Sequence, residues 1–178
     1  MPGPASVVLI GMMGCGKSEV GRRLATALGM EFVDLDAVVE QEAGRSVTEI
    51  FSVEGEAGFR VRERAAVGKV AGRPGLVVAG GGGVVLDPAN AAALRSGATV
   101  VWLQVSPGVA AARLGTDAGR PVLAGRRGDL ESRLRALTEE RSAAYQAAAH
   151  LAVDGDGSPG EVAGVIAAAL GARPAEVR

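Results

Sequence analysis

The chain has 178 residues, of which 48% are hydrophobic and 22% charged, a composition that predicts one folded domain and excludes a disordered or collagen-like chain. Its 19 basic and 20 acidic side chains give a net charge of -1, so we expect no nucleic-acid partner and no anionic membrane partner. Because Cys15 is the only cysteine, no apolar run approaches the ~18 residues of a membrane span, and nothing indicates an interface, we predict a cytoplasmic monomer.

Short apolar runs that predict buried strands alternate with longer segments of helical period. This alternation is typical of a parallel sheet covered by helices on both faces, so we predict a three-layer α/β fold with about five strands. The predicted strands span residues 7–10, 31–34, 76–79, 99–105 and 151–153. The predicted helices span residues 17–28, 88–96, 129–149 and 158–170.

Three segments do not follow the alternation. Residues 36–70 are too many for one crossover, and we predict an insertion of several short helices broken at Gly44 and Gly55. Residues 115–128 form a loop rich in glycine and arginine, which predicts a mobile lid over a site. Residues 172–178 are predicted to be a frayed tail.

A phosphate-binding motif lies between the first predicted strand and the first predicted helix. Residues 11–18 read GMMGCGKS and satisfy G-x-x-x-x-G-K-[ST], in which glycines wrap a phosphate, Lys17 adds charge and Ser18 can hold Mg²⁺. The alternative is a glycine-rich turn without a ligand, but Lys17 is one of two lysines in the chain, which favours phosphate binding. Cys15 is interpreted as a small filler of the loop, with a reactive thiol as the alternative.

A second acidic partner for a metal is expected near this loop, and no predicted strand ends in the Walker B aspartate that often supplies it. The nearest candidates, Asp34 and Asp36, lie at the end of the second strand, at the edge where open parallel sheets bind ligands. If the chain stays extended they share one face, so that one can reach Mg²⁺ while the other faces an acceptor hydroxyl. The alternative for Asp36 is that it only caps a helix beginning at Ala37.

The roles of two further motifs stay open on the residues alone. Arg60 lies in a charged segment with Glu56 and Glu63 as local partners, and its spacing favours the solvated face of a helix. Residues 80–83 are four consecutive glycines after a strand, which fits a backbone that faces a ligand or a plain turn.

The second half of the chain holds other candidates. Arg141 and Tyr145 lie one turn apart on the long helix, and spacing alone assigns them to its surface and its packing face. His150, the only histidine, is interpreted as a partner of the C-terminal dipole of that helix. Three arginines of the lid can supply charge to a transferring phosphoryl group or be solvated: Arg120, Arg126 and Arg127.

Taken together, these motifs resemble the shikimate kinase family over residues 7–170. The matching segments are GMMGCGKSEVGRRLA at 11–25, FVDLD at 32–36, GRSVTEIF at 44–51, GEAGFR at 55–60, GGGV at 81–84, RPVL at 120–123, and Arg141 with Tyr145. The chain departs from the family at Glu19, where threonine is common, at 142–144, which replaces a proline-containing stretch, and at 153–160, which lacks a basic residue near the adenine.

The resemblance implies a P-loop kinase that phosphorylates the 3-hydroxyl of shikimate with ATP and Mg²⁺, in aromatic amino-acid biosynthesis. It implies that ATP is bound by Gly11, Gly14, Cys15, Gly16, Lys17, Ser18, Glu19, Arg113 and Arg120, and the metal by Ser18 and Asp34. It implies that the substrate is bound by Asp36, Arg60, Gly81, Gly82, Gly83 and Arg141, and that Lys17, Asp36 and Arg120 are catalytic.

Two other functions compete with this interpretation. The first is a kinase for another small hydroxy-acid such as gluconate, which the D-x-D pair, the GEAGFR segment and the glycine triplet disfavour. The second is a non-catalytic nucleotide switch, which predicts an N-K-x-D motif or a Walker B aspartate, and the sequence has neither.

Overall fold

The computed structural model of the chain describes residues 5–115, 121–123 and 128–171. In these residues lie five strands: β1 (Ser6–Ile10), β2 (Glu31–Asp34), β3 (Leu76–Ala79), β4 (Ala98–Gln104) and β5 (Leu151–Asp154). The α-helices are α1 (Lys17–Leu28), α2 (Leu35–Ala43), α3 (Val47–Val70), α4 (Pro88–Gly97), α5 (Pro107–Leu114), α6 (Leu130–Ala148) and α7 (Pro159–Ala169). Short 3-10 segments span Val84–Leu86 and Pro121–Leu123.

The strands form one parallel sheet in the order β2-β3-β1-β4-β5, which confirms the predicted α/β class. The central strand β1 sends alternate side chains into two buried clusters. Val8 and Ile10 pack with residues of α2, α3, α4 and α6, whereas Val7 and Leu9 pack with residues of α1 and α7. Because helices cover both faces, the strands are continuous apolar runs in the sequence.

The predicted strands and the four predicted helices outside the insertion agree with the structure to within one residue at each end. Helix α5 was not predicted from the sequence. Ser106 caps it by accepting a hydrogen bond from the amide of Val109, and Pro107 occupies the first helical position. The same serine-proline pair begins α7, so the signal was present, but α5 has only 8 residues.

The insertion consists of two helices, and both predicted breaks are confirmed. Gly44 ends α2 in the left-handed conformation with φ 62°. Ser46 begins α3 with a capping box, in which its hydroxyl accepts from the amide of Glu49 and the Glu49 carboxylate accepts from the amide of Ser46. Gly55 interrupts α3 with φ 70° and ψ -177°, which bends the helix into a corner.

The end of α6 shows that the interpretation of His150 was wrong. Arg95 meets the last carbonyls of α6, with Nη1 donating to the oxygen of Ala148 at 2.6 Å. His150 lies beyond the helix, and its Nδ1 accepts a hydrogen bond from the amide of Val100 at 2.9 Å. Desolvation, and then the charge of Arg95, lower the pKa of His150. A neutral ring that accepts a hydrogen bond is not the cation that a helix C-terminus attracts.

Two predicted segments lie wholly or largely outside the described residues. The tail, 172–178, is outside them, and of the lid, 115–128, only Gly115, Pro121–Leu123 and residues 128 onward are described. The lid, the tail and the single-domain organisation therefore stay predictions. In the described part of the chain, no helix combines the length and the apolar character that crossing a membrane requires.

Candidate active site

The turn after β1 depends on glycine at three positions. Gly11, Gly14 and Gly16 have φ values of 142°, 76° and 88°, a region that side chains disfavour. A Cβ on Gly11 would lie 2.6 Å from the carbonyl oxygen of Leu103, and one on Gly14 would lie 2.7 Å from that of Ala110. The turn therefore packs its backbone directly against β4 and α5. Helix α1 begins immediately after it, and its N-cap residue, Gly16, provides no side-chain hydrogen bond to the first amides of the helix.

Lys17 folds back over this turn. Its Nζ donates to the carbonyl oxygens of Gly11 at 2.8 Å and Met12 at 2.9 Å, and lies 3.5 Å from the sulfur of Cys15. Cys15 is buried, which supports its interpretation as a filler of the loop rather than as a reactive thiol.

Ser18 and Asp34 join α1 to the end of β2. The Ser18 hydroxyl donates to Oδ2 of Asp34 at 2.6 Å, and Oδ1 of Asp34 accepts from the amides of Asp36 and Ala37. Asp34 is thus the N-cap of α2. The expectation that the chain stays extended was wrong, because it turns helical at Leu35, and the alternative in which Asp36 is the cap is excluded. The side chain of Asp36 lines the cavity described next.

A cavity of about 660 Å³ connects the turn after β1 with the insertion. Most of the predicted site residues line it: Gly14, Gly16, Lys17, Ser18, Glu19, Asp34, Asp36, Arg60, Gly81, Gly82, Gly83, Arg113 and Arg141. Gly11 and Cys15 do not line it, and a Cβ on Gly11 would lie 3.1 Å from the sulfur of Cys15. Arg120, like Arg126 and Arg127, lies outside the described residues.

The glycine run after β3 makes room for side chains of the site. A Cβ on Gly81 would lie 2.7 Å from Oε1 of Glu63 and 2.9 Å from Oδ1 of Asp36. A Cβ on Gly83 would lie 2.6 Å from Nη2 of Arg60. These glycines therefore let two carboxylates and one guanidinium approach the backbone, which a plain turn does not require.

Arg60 does not lie on a solvated face of α3, as its spacing alone favoured. Its side chain is 24% exposed and forms ion pairs with Glu63 at 2.8 Å and Glu56 at 2.9 Å. Burial alone would lower the pKa of Arg60, but the two carboxylates outweigh it and raise that pKa. The guanidinium therefore stays charged at the cavity wall.

Glu63 was named only as a local partner of Arg60, yet it is 1% exposed and borders Gly81. Desolvation raises the pKa of this carboxyl against the opposing charge of Arg60, and the charge of Asp36 raises it further. In the part of the chain that the structure describes, its Oε1 has no hydrogen-bond partner. The sequence signal that could have identified Glu63 is its i,i+3 spacing from Arg60.

Arg141 and Tyr145 donate hydrogen bonds to the same carbonyl oxygen. Arg141 is 4% exposed, so its assignment to the helix surface was wrong, whereas the packing position of Tyr145 is confirmed. Nη1 of Arg141 donates to the carbonyl oxygen of Gly82 at 3.0 Å, and the Tyr145 hydroxyl donates to the same oxygen. Burial raises the pKa of Tyr145 to about 12, so its hydroxyl remains a donor at neutral pH.

Arg113 ties α5 to two loops. Its Nη2 donates to the carbonyl oxygens of residues 155–157, at 2.9, 3.1 and 2.9 Å, and Nη1 donates to that of Cys15 at 3.4 Å. It thus links the turn after β1 to the loop between β5 and α7. The side chain of Glu19 is half exposed and pairs with Arg23 along α1 at 3.0 Å.

The chemistry of these groups divides the cavity into two ends. The turn and Lys17 suit a polyphosphate, and the hydroxyl and carboxylate of Ser18 and Asp34 are oxygen donors of the kind that Mg²⁺ prefers. No cluster of three or more histidine, cysteine or acidic side chains that could hold a metal ion occurs among the described residues. The two arginines at the other end suit a carboxylate.

Comparisons of the sequence with known proteins indicate a family. The family model described as shikimate kinase matches residues 13–170. The shikimate kinase of Halorhodospira halophila is 45% identical over 86% of each chain, and that of Moorella thermoacetica is 47% identical over 86% of this chain and 87% of its own.

Solved structures include a shikimate kinase with a closely similar fold and a gluconokinase with a more distant one. A shikimate kinase from Acinetobacter baumannii in complex with shikimate superposes with a TM-score of 0.87, at 34% identity and 94% coverage of both chains. A gluconokinase from Sinorhizobium meliloti is similar in fold alone, with a TM-score of 0.58 and 21% identity over 96% of this chain and 94% of its own.

Proposed function

Because the chain belongs to the shikimate kinase family, it is a phosphotransferase that phosphorylates shikimate with ATP, and we propose that this reaction occurs in the cavity between the P-loop and the insertion. The observation that carries the proposal is that a single cavity is lined by Lys17, by the Ser18–Asp34 pair, and by Asp36 with two arginines. The products are shikimate 3-phosphate and ADP.

The P-loop end binds the nucleotide in this proposal. The amides at the start of α1 and the backbone of residues 11–18 surround the phosphates, and the ammonium group of Lys17 exchanges its contacts with the Gly11 and Met12 carbonyls for phosphate oxygens. Arg113 holds the loop at 155–157 beside the P-loop and contributes to the nucleotide site. Glu19 is the most peripheral of the proposed contacts.

Mg²⁺ is the metal that we propose for Ser18 and Asp34. Their oxygens lie 2.6 Å apart, and a pair of this kind provides few protein ligands, which fits an ion that keeps several waters and binds phosphates. When bound, the ion neutralises charge that develops on the transferring phosphoryl group.

The other end binds shikimate. We assign the substrate carboxylate to the guanidinium groups of Arg60 and Arg141, with the backbone of Gly81–Gly83 along the pocket wall. Glu63 acts as a positioning residue because its ion pair with Arg60 fixes that guanidinium from the buried side. In-line transfer depends mainly on positioning and charge neutralisation, and these contacts supply the first of them.

Asp36 faces the reacting hydroxyl in this scheme. As a carboxylate on the cavity wall, it accepts a hydrogen bond from the 3-hydroxyl and takes its proton as the phosphoryl group leaves ATP.

We also propose that Arg120 closes over the phosphates from the lid, 115–128. The enzyme is, in this proposal, a cytoplasmic monomer with no nucleic-acid or membrane partner.

A panel of acceptors tests the assignment. ADP release is measured with shikimate, gluconate and other cyclic or linear hydroxy-acids at equal concentrations, with and without Mg²⁺. We expect turnover with shikimate and Mg²⁺ and little with gluconate, because the chain belongs to the shikimate kinase family and resembles a gluconokinase in fold alone. Equal turnover with gluconate, or tight ATP binding without any acceptor-dependent turnover, would contradict the proposal.

A further inference from the structure

The corner in α3 lies between two parts of the proposed shikimate pocket. Gly55 adopts φ 70° and ψ -177°, and helix continues on either side of it, over 47–54 and 56–70. A Cβ on Gly55 would have no neighbour within 4 Å, so glycine is needed here for its backbone conformation and not for space. The angle of the corner must therefore be held by contacts between the two helical halves.

An ion pair with two hydrogen bonds crosses the corner. Arg62 donates from Nε to Oε2 of Glu54 at 2.9 Å and from Nη2 to Oε1 at 2.8 Å. Arg45 adds a third charge, with Nη1 lying 3.7 Å from Oε1 of Glu54. Two parallel bonds fix both the distance and the orientation of their partners, which a single contact does not.

A second glycine makes this arrangement possible. A Cβ on Gly58 would overlap the Cβ of Glu54 and lie 3.0 Å from its Oε2. Gly58 therefore provides the space in which the side chain of Glu54 runs across the corner toward Arg62. Two glycines and an ion pair thus specify one local geometry.

The opposite side of the corner faces the cavity. The rings of Phe51, before the corner, and Phe59, after it, lie with their centroids 4.7 Å apart, and both line the cavity together with Arg60. A change in the angle of the corner would separate Phe51 from Phe59 and shift Arg60. Neither Glu54 nor Arg62 lines the cavity itself.

We infer that Glu54 and Arg62 are a positioning pair that sets the geometry of the shikimate pocket from outside it. The inference rests on the proposed assignment of the shikimate carboxylate to Arg60, in the part of the cavity that Phe51 and Phe59 also line. A positioning role predicts a selective effect on the acceptor, because the P-loop and its contacts lie on other elements.

Steady-state kinetics of Arg62→Ala test the inference. We expect the KM for shikimate to rise about three- to tenfold while the KM for ATP and the melting temperature stay close to those of the wild type. Arg62→Lys, which keeps one bond, should lie between the two. Amide hydrogen exchange over 47–63 should accelerate in the alanine variant.

Two further variants control the experiment. Arg135→Ala removes a more exposed ion pair with one hydrogen bond, to Glu131 at 2.8 Å on α6, and should leave both KM values unchanged. Gly58→Ala keeps the charges of Glu54 and Arg62 but displaces Glu54, so it should reproduce the selective rise in the KM for shikimate.

Two results would overturn the inference: a KM for shikimate that stays at the wild-type value in both Arg62→Ala and Gly58→Ala, or KM values for shikimate and ATP that rise together. Arg60→Lys, measured in parallel, separates this failure from failure of the proposed pocket. If Arg60→Lys raises the KM for shikimate and Arg62→Ala does not, only the positioning role is wrong. If Arg60→Lys has no effect, the assignment of the pocket is wrong.

Discussion

The hydroxyl of Ser18 donates to Oδ2 of Asp34 at 2.6 Å, while Oδ1 of the same carboxylate caps α2. Asp34 therefore has one oxygen, Oδ2, at the proposed metal site and one, Oδ1, that caps the first amides of α2. Ser18 takes part only in the first of these contacts. Substitutions at the two positions consequently separate the proposed metal role from helix capping.

Ser18→Ala should lower turnover and raise the Mg²⁺ concentration needed for half-maximal rate, with little loss of stability. Asp34→Ala should show the same metal effect and, in addition, lose about 1 kcal/mol of unfolding free energy because its N-cap is removed. Magnesium titrations of the rate and urea denaturation of both variants measure the two effects. A Ser18→Ala enzyme with unchanged magnesium dependence would contradict the metal assignment.

Asp36→Asn should reduce turnover by about 10²- to 10⁴-fold, because the amide cannot take the proton of the acceptor hydroxyl. The affinity for ATP should survive, since Asp36 lies on α2 and outside the P-loop. Single-turnover kinetics and a nucleotide-binding titration distinguish the two quantities. Near-normal turnover would remove the proposed base.

Arg60→Ala and Arg141→Ala should each raise the KM for shikimate by tens-fold or more, equivalent to about 2–4 kcal/mol for the loss of a desolvated charge partner. Arg141 is also a donor to the carbonyl of Gly82, but Tyr145 keeps a second bond to that oxygen. Initial rates over a range of shikimate concentrations give the result. If neither variant changes the KM, the carboxylate is bound elsewhere.

Gly81→Ala should impair both the KM for shikimate and turnover, because the added methyl would contact the carboxylates of Glu63 and Asp36. Gly164→Ala is a suitable control: a Cβ there has no neighbour within 4 Å, and alanine should stabilise α7 by up to about 1 kcal/mol. Steady-state kinetics and thermal denaturation of both variants distinguish the effect of a methyl group at the site from the effect of the same substitution away from it. Wild-type kinetics in Gly81→Ala would show that the carboxylates can move aside without cost.

Stability should decrease as the pH falls below about 6.5, through the titration of His150. Because the pKa of His150 is lowered in the folded state, the unfolded chain binds the proton first, and the stabilisation is complete only above the unfolded pKa. The imidazole is largely exposed, so we expect a shift in melting temperature on the order of 1 °C. His150→Gln, which cannot titrate, should flatten the dependence between pH 5 and 7, as differential scanning calorimetry can determine.

Much of the fold could be predicted because its signals are local. The apolar runs of the strands, Gly29 and Gly44 at the ends of α1 and α2, and the serine-proline start of α7 all act within a few residues. The P-loop is equally local, since one motif supplies the turn, the lysine and the hydroxyl. The resemblance to a family added Arg60 and Arg141, which spacing alone had assigned to solvated surfaces.

The features that were not predicted from the sequence depend on contacts between distant parts of the chain. Arg141 is buried because Gly82, 59 positions earlier, presents a carbonyl oxygen to it. Arg95, on α4, donates to the carbonyl oxygen of Ala148 at the end of α6. It therefore takes the place at the helix C-terminus that was predicted for His150 from its position in the sequence. Asp34 is the cap because α2 begins at Leu35, directly after the last residue of β2. The spacing of apolar residues does not determine this boundary.

The packing of Trp102 has a practical consequence. Its indole ring lies 5.7 Å from the ring of Tyr145, whose hydroxyl binds the carbonyl of Gly82 at the glycine triplet. The chain contains a single tryptophan, so its emission arises from one known place. Any ligand that moves the triplet alters the surroundings of this fluorophore, and the native protein therefore carries an optical reporter of its acceptor side that requires no label.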